Sequence, residues 1–228
     1  MLISIFRNYD FKTAIILALF SLFIVVFSLS FHEFSHAMTA YALGDPTAKY
    51  NGRLTLNPFK HLHPIGFVCM LLFGFGWANP VPINANYFKN RKGGMAVSAL
   101  AGPVSNILLS FISLLMQNIL QHIALGMAYA AFLKWETIIS ILLLFFGLAH
   151  TMNLYLAVFN LLPIPPLDGS RILFIFLPAD KYFKVMKYEQ FIALGLIVLL
   201  YIGVLNGPLS FITAGISNGM QALINLFM

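Results

Sequence analysis

Apolar residues fill the chain from Thr13 to Leu43 with little polar relief before His32, and Gly44-Asp45-Pro46 then ends the run. This pattern predicts one long helix over 13–43, with Gly44 as its C-cap glycine and Pro46 unable to continue it. The next segment, 44–92, is unlike the rest. Asn51-Gly52, Asn57-Pro58, His63-Pro64, Asn79-Pro80 and Pro82 interrupt short apolar pieces, and the piece Ile65 to Trp77 is too short to cross a bilayer. Irregular backbone is tolerated at membrane depth only against protein or a wet cavity. A re-entrant loop or β-hairpin is therefore expected here.

Helical apolar sequence resumes over 94–133, weaker after Leu120, and includes Ala101-Gly102-Pro103-Val104-Ser105-Asn106. A further span starts near Thr137 and reaches Phe159. Beyond it Pro163, Pro165 and Pro166 must unwind the helix and free its carbonyls. Helix can restart at Asp168 and run to about Leu177, which makes 137–177 a broken helix. Apolar stretches within 190–227 complete the chain.

Composition turns this pattern into a class. Hydrophobic residues make up 60% of the 228 and charged residues 9%, against about 25% charged in a soluble domain; mean hydropathy is +0.88. The expected fold is an all-α polytopic membrane protein, a single unit over 1–228 with about five or six transmembrane helices. A cleaved signal peptide is the competing reading of the first run, since Arg7 and Lys12 precede it. The run is longer than the usual ~7–15 residue apolar region of such peptides, and cleavage near Ser30 would strip His32 of its helix. The net charge of +6 is scattered over loops without a basic stripe. Lipid headgroups and topology account for it, and nucleic acid is not an expected partner. Cys69 is the only cysteine, so no intrachain disulfide is possible.

The chemistry begins at His32-Glu33-Phe34-Ser35-His36, an H-E-x-x-H near the end of the first apolar run. A charged side chain at hydrocarbon depth costs about 2.5–3.5 kcal/mol on insertion scales, so this cluster needs a compensating partner. Residues four apart share a helix face, so His32 and His36 can hold one ion, while Glu33 sits on the adjoining face. That geometry suits two zinc ligands and a base beside a metal-bound water. Catalytic zinc needs a third protein ligand. The chain has seven acidic residues. Asp10, Asp180 and Glu189 lie among basic residues, Asp45 follows the helix stop, and Glu136 adjoins Lys134 and Trp135 as interfacial residues do. Asp168 alone sits at a break inside apolar sequence, where a carboxylate most needs a cation.

Plainer roles stand beside these. Asp168 can also be an N-cap for the helix that follows it, and Arg171 is a partner for that carboxylate or a snorkelling cation. Asn106 and Asn160 can serve as interhelical hydrogen-bond formers, the preferred role for Asn106, and Gly102-Pro103 can permit close helix packing. His61 and His63 are read as loop histidines, His122 and His150 as structural.

The chain resembles the site-2 protease family, the zinc intramembrane metalloproteases. The resemblance rests on His32 to His36, on Gly52-Arg53-Leu54-Thr55-Leu56-Asn57-Pro58, on Ala101 to Asn106, and on Asn160 through Asp168-Gly169. It implies one catalytic zinc ion held by His32, His36 and Asp168, with Glu33 activating water and Asn160 holding the substrate carbonyl or its oxyanion. It implies cleavage of peptide bonds in or near membrane-spanning segments, in regulated proteolysis or signal-peptide clearance. His63 departs from the pattern, since relatives commonly carry aspartate before Pro-Ile-Gly. A compact member without a PDZ domain is expected.

The partners expected are a transmembrane protein or peptide substrate and membrane lipid. An extended loop around 52–86 could pair with an unwound substrate as an added strand. Lys49, Arg53, Lys60, Lys89, Arg91 and Lys92 place that loop on the cytoplasmic side, and the zinc roughly 12 Å in from it at 1.5 Å per helical residue. A bacterial plasma membrane is the expected location. The alternative function is a metal-binding membrane protein without protease activity, a transporter or a binder of transmembrane helices. Glu33 separates the two, because a binder has no use for a base beside its ligands.

Overall fold

The computed structural model describes residues 2–73, 79–173 and 175–228. Ten α-helices follow one another among them: α1 (Leu2–Asn8), α2 (Phe11–Ala42), α3 (Thr47–Tyr50), α4 (Pro64–Phe73), α5 (Arg91–Gly126), α6 (Tyr129–Asn160), α7 (Asp168–Leu173), α8 (Ala179–Met186), α9 (Glu189–Tyr201) and α10 (Asn206–Asn225). Among the described residues no strand forms beyond an isolated bridge position at Leu62.

α2 begins where Asp10 caps it, its Oδ2 accepting from the Thr13 N–H at 3.0 Å. That hydrogen bond holds the Asp10 carboxyl below its ordinary value. Sequence alone places Asp10 in a polar loop; here it is the start signal of the longest apolar run. α2 ends at Leu43, and Gly44 follows with φ of +103°, the left-handed stop expected of it.

α2, α5 and α6 are long and apolar enough to cross a membrane, and α9 with α10 forms a further apolar pair bent by 81°. Five or six crossings are expected from the sequence; among the described residues three single helices and this bent pair meet the requirement. The 13 residues of α9 reach only about 20 Å at 1.5 Å per residue, short of a ~30 Å hydrocarbon core. The described part of α4 covers ten residues. The rest of the Ile65 to Trp77 piece, from residue 74 on, lies outside the described residues.

The break between α5 and α6 falls elsewhere than the polarity pattern suggests. Lys134-Trp135-Glu136 looks like a boundary, yet all three residues lie exposed within α6, and the chain turns at Met127 and Ala128 instead. Charged side chains do not interrupt a helix whose surface is accessible. Gly126, with its poor helix propensity, weakens the last turn of α5. The helix after the proline break is described over Asp168–Leu173, and residues 175–177 form turns rather than the helix to Leu177 expected.

α5 is central, touching α2, α6, α7 and α10. Its buried face is built from small residues: Ala96, Ser98, Ala99, Gly102, Ser105 and Ser110. α2 answers with Ala14, Ser21, Ser28, Ala37 and Ala40. Because lipid tails are as apolar as leucine, helices associate through close backbone approach, which small residues permit. Large side chains such as Leu19, Phe23 and Phe27 point outward.

A polar seam fastens α10. His150 of α6 contacts Ser110 Oγ of α5 at 2.8 Å and Ser217 Oγ of α10 at 2.9 Å. Asn118 and Gln221 exchange two hydrogen bonds at 3.0 and 2.7 Å. Leu154, Val158 and Leu209 pack beside this seam. His150 thus has the structural role its sequence context suggests.

Candidate metal centre

His32 and His36, one turn apart on α2, present their Nε2 atoms to each other at 3.0 Å. Asp168, the first residue of α7, brings Oδ2 to 3.0 Å from His32 Nε2 and 3.2 Å from His36 Nε2. All three residues are buried. A four-coordinate zinc with bonds of about 2.0–2.1 Å holds its donors about 3.3 Å apart. The triangle of two imidazole nitrogens and one carboxylate oxygen therefore fits one such ion with a fourth position left over.

The break before α7 makes this meeting possible. After Asn160 the chain turns through Leu161 to Leu167, with a cis bond between Pro165 and Pro166. Among the described residues the Asp168 oxygen that meets the histidines has no hydrogen bond to the backbone of its own helix. Arg171 forms no ion pair with it among the described residues; the short contacts of Asp168 Oδ2 run to His32 and His36.

Both imidazoles are oriented from behind. His36 Nδ1 donates to the Ser98 carbonyl of α5 at 2.7 Å. His32 Nδ1 lies 2.6 Å from Asn106 Oδ1. Such partners fix the ring and leave the far nitrogen available. α5 can come this near because residue 102 is glycine: a Cβ there would lie within 2.6 Å of Nε2 of both His32 and His36. Ser98, Asn106 and Gly102 are contributors that motif spacing does not assign. For Asn106 the interhelical role is real, since its Nδ2 reaches Asn153 Oδ1 on α6 at 3.0 Å, but the same side chain also holds His32.

Glu33 is buried beside the triangle, and its Oε2 accepts from the Val81 N–H at 3.0 Å. The 79–84 segment is thereby drawn against the site. Asp45 anchors its other end. Fully buried, Asp45 accepts from the Asn84 N–H at 2.6 Å and from the Thr47 N–H at 2.9 Å. Following the helix stop, it looks in the sequence like a solvent-facing loop carboxylate; in fact it pins the loop. Pro82 has no N–H, so two of the three backbone donors over 81–84 are engaged by carboxylates.

Of the remaining candidates, Asn160, His61 and His63 are hydrogen-bonded elsewhere. Asn160 donates from Nδ2 to the Leu156 carbonyl at 2.9 Å, within α6, and is not hydrogen-bonded to His32, His36 or Asp168. His61 is buried in the loop and contacts the Thr55 carbonyl at 2.8 Å. His63 accepts from the Gly66 N–H at 3.2 Å at the start of α4. His122 is exposed on α5.

Comparison with known proteins agrees with this geometry. The profile of Peptidase family M50 matches residues 20–203. YwhC of Bacillus subtilis, named as a candidate zinc metalloprotease, is 45% identical over 177 residues, covering 77% of this chain and 76% of its own. Rip2 of Mycobacterium tuberculosis, similarly named, is 31% identical over 190 residues, covering 79% of this chain and 66% of its own. MJ0611 of Methanocaldococcus jannaschii, also so named, is 32% identical over 165 residues, covering 70% of this chain and 72% of its own. The chain thus spans about two thirds of the mycobacterial relative. No solved structure matches it. With these matches and three helices long and apolar enough to span a bilayer, the chain belongs to peptidase family M50, the family of the site-2 proteases.

Proposed function

We propose that this protein is a zinc-dependent endopeptidase that cuts peptide bonds in or near transmembrane segments. The observation that carries the proposal is the buried His32–His36–Asp168 triangle, whose ligand atoms lie within 4.8 Å of one another, with the Glu33 carboxylate alongside. A family of peptidases and a ligand set suited to zinc both support the reading.

Bound in the triangle, zinc would supply Lewis acidity, lowering the pKa of a coordinated water toward 7 and polarising the scissile carbonyl. Glu33 takes the proton of the attacking water. Val81 holds Oε2, so Oε1 is the atom assigned to that proton. As the C–N bond breaks, the same proton passes to the leaving amine, and the net reaction adds one water across the bond. Asn160 is assigned to the substrate carbonyl oxygen; with one hydrogen of its NH2 group on the Leu156 carbonyl, the second is the donor for that oxygen. Ser98 and Asn106 hold the imidazoles, and burial keeps bulk water from the ligands.

The substrate is a single membrane-spanning segment unwound near the site, and the surrounding lipid is the second partner. The whole chain acts as one unit. The basic loop residues support a cytoplasmic face of a bacterial plasma membrane for the 44–92 region. A hydrogen bond from Lys92 Nζ to the Leu177 carbonyl at 2.8 Å supports a common side for that region and the segment after α7.

The test is cleavage of a panel of single-span substrates by protein reconstituted in liposomes. Expected is a cut within or beside the span, read by mass spectrometry, that stops on chelation and returns with zinc. Zinc-loaded protein that cuts none of the panel would favour a non-proteolytic metal-binding role.

A further inference from the structure

The two histidines of the triangle are oriented by different means. His36 donates to a backbone carbonyl, Ser98, which cannot reverse its polarity. His32 faces a side-chain amide, Asn106, which can present either its oxygen or its NH2 group. Something must decide which.

The deciding contacts come from α6. The Ala149 carbonyl can only accept, so Asn153 turns its Nδ2 toward it, at 2.8 Å. Asn153 Oδ1 consequently faces α5 and accepts from Asn106 Nδ2 at 3.0 Å. The Ser28 carbonyl, at 3.4 Å, is a longer second acceptor for the same NH2 group. With both of its hydrogens directed away from His32, Asn106 presents Oδ1 to Nδ1 at 2.6 Å. An acceptor at that position requires the His32 hydrogen on Nδ1, which leaves the Nε2 lone pair facing the point shared with Asp168 and His36, where a metal ion would be held.

We propose that Asn153 is a positioning residue of the metal centre: it fixes the orientation of the Asn106 amide and through it the tautomer of His32. The proposal rests on the zinc reading above. Without Asn153, the Asn106 amide keeps only the long Ser28 contact. Its reversal would set an NH2 group against His32 Nδ1 and move the imidazole hydrogen onto Nε2, the ligand atom. Asn106, Asn153 and Ser28 are all buried, and a leucine at 153 fills the space in which a water could replace the lost acceptor.

The experiment measures zinc affinity by chelator competition, and cobalt(II) d–d absorption, in the full-length protein without substrate. The variants are Asn153→Leu, Asn153→Ala and Asn153→Asp, the first two also in an Asn106→Ala background. Asn153 borders a cavity of about 230 Å³ shared with Ser28, Phe27 and Phe146, which gives the leucine room. Expected is a loss of about 10- to 100-fold in zinc affinity for Asn153→Leu and Asn153→Ala, with altered cobalt bands. Asn153→Asp, which keeps an acceptor for Asn106, should stay within about threefold of wild type. In the Asn106→Ala background the Asn153 substitutions should change affinity no further. Wild-type affinity in both truncations, or an equal loss with and without Asn106, would overturn the proposal. Affinity is read without cleavage, so failure of the protease reading leaves this outcome intact, and the converse also holds.

Discussion

Gly102 of α5 lies against His32 of α2 so closely that a Cβ on it would come to 2.6 Å from His32 Nε2. The helix that carries the second-layer hydrogen bonds is thus also the one that must stay bare at the point of contact. Gly102→Ala should push α5 away from both imidazoles, at about 1–3 kcal/mol of overpacking strain, and lower bound zinc at least tenfold. Metal content per chain and thermal unfolding check this together. Full zinc occupancy in a normally stable Gly102→Ala protein would show that α5 is free to shift.

Asp45 holds the loop that reaches Glu33. Its carboxylate accepts backbone N–H groups from Asn84 and Thr47 while fully buried, and hydrogen bonds to charged groups are worth about 1.5–3 kcal/mol each. Asp45→Ala should release the 79–90 segment to limited proteolysis and reduce cleavage of substrate, with zinc content unchanged. Peptide mapping after brief digestion reads the release.

His150 ties α5, α6 and α10 but lies outside the triangle. His150→Leu should lower unfolding stability by about 1–3 kcal/mol, since Ser110 and Ser217 lose a partner. It should leave zinc stoichiometry as in wild type. Denaturation in mild detergent with parallel metal analysis separates these effects; zinc loss would show that the α10 seam supports the site.

What the sequence makes legible follows from what is expensive in a membrane. Two histidines and a glutamate in an apolar helix, and one carboxylate at a proline break, stand out because each needs compensation at that depth. The structure brings His32, His36 and Asp168 together, with Glu33 beside them. Asn106 and Asn153 do not stand out, because neutral amides are ordinary at helix interfaces, and their partners are 74 and 47 positions away. The Ser98 contact leaves no trace at all, since it uses a carbonyl every residue has. Asp45 misleads for a related reason: its burial comes from the loop folding over it, which local polarity does not encode. The break at Met127 is missed because charge at Lys134 and Glu136 looks like a boundary, while Gly126 gives a weaker signal.

The central claim is that Glu33 moves a proton for a metal held by its neighbours, and Glu33→Gln tests it most directly. Wild-type and variant protein are brought to equal zinc content and given one single-span substrate in liposomes. The account predicts one zinc per chain in both, cleavage by wild type, and a fall of about 10²–10⁴-fold in the variant. Cleavage by Glu33→Gln at the wild-type rate would contradict it.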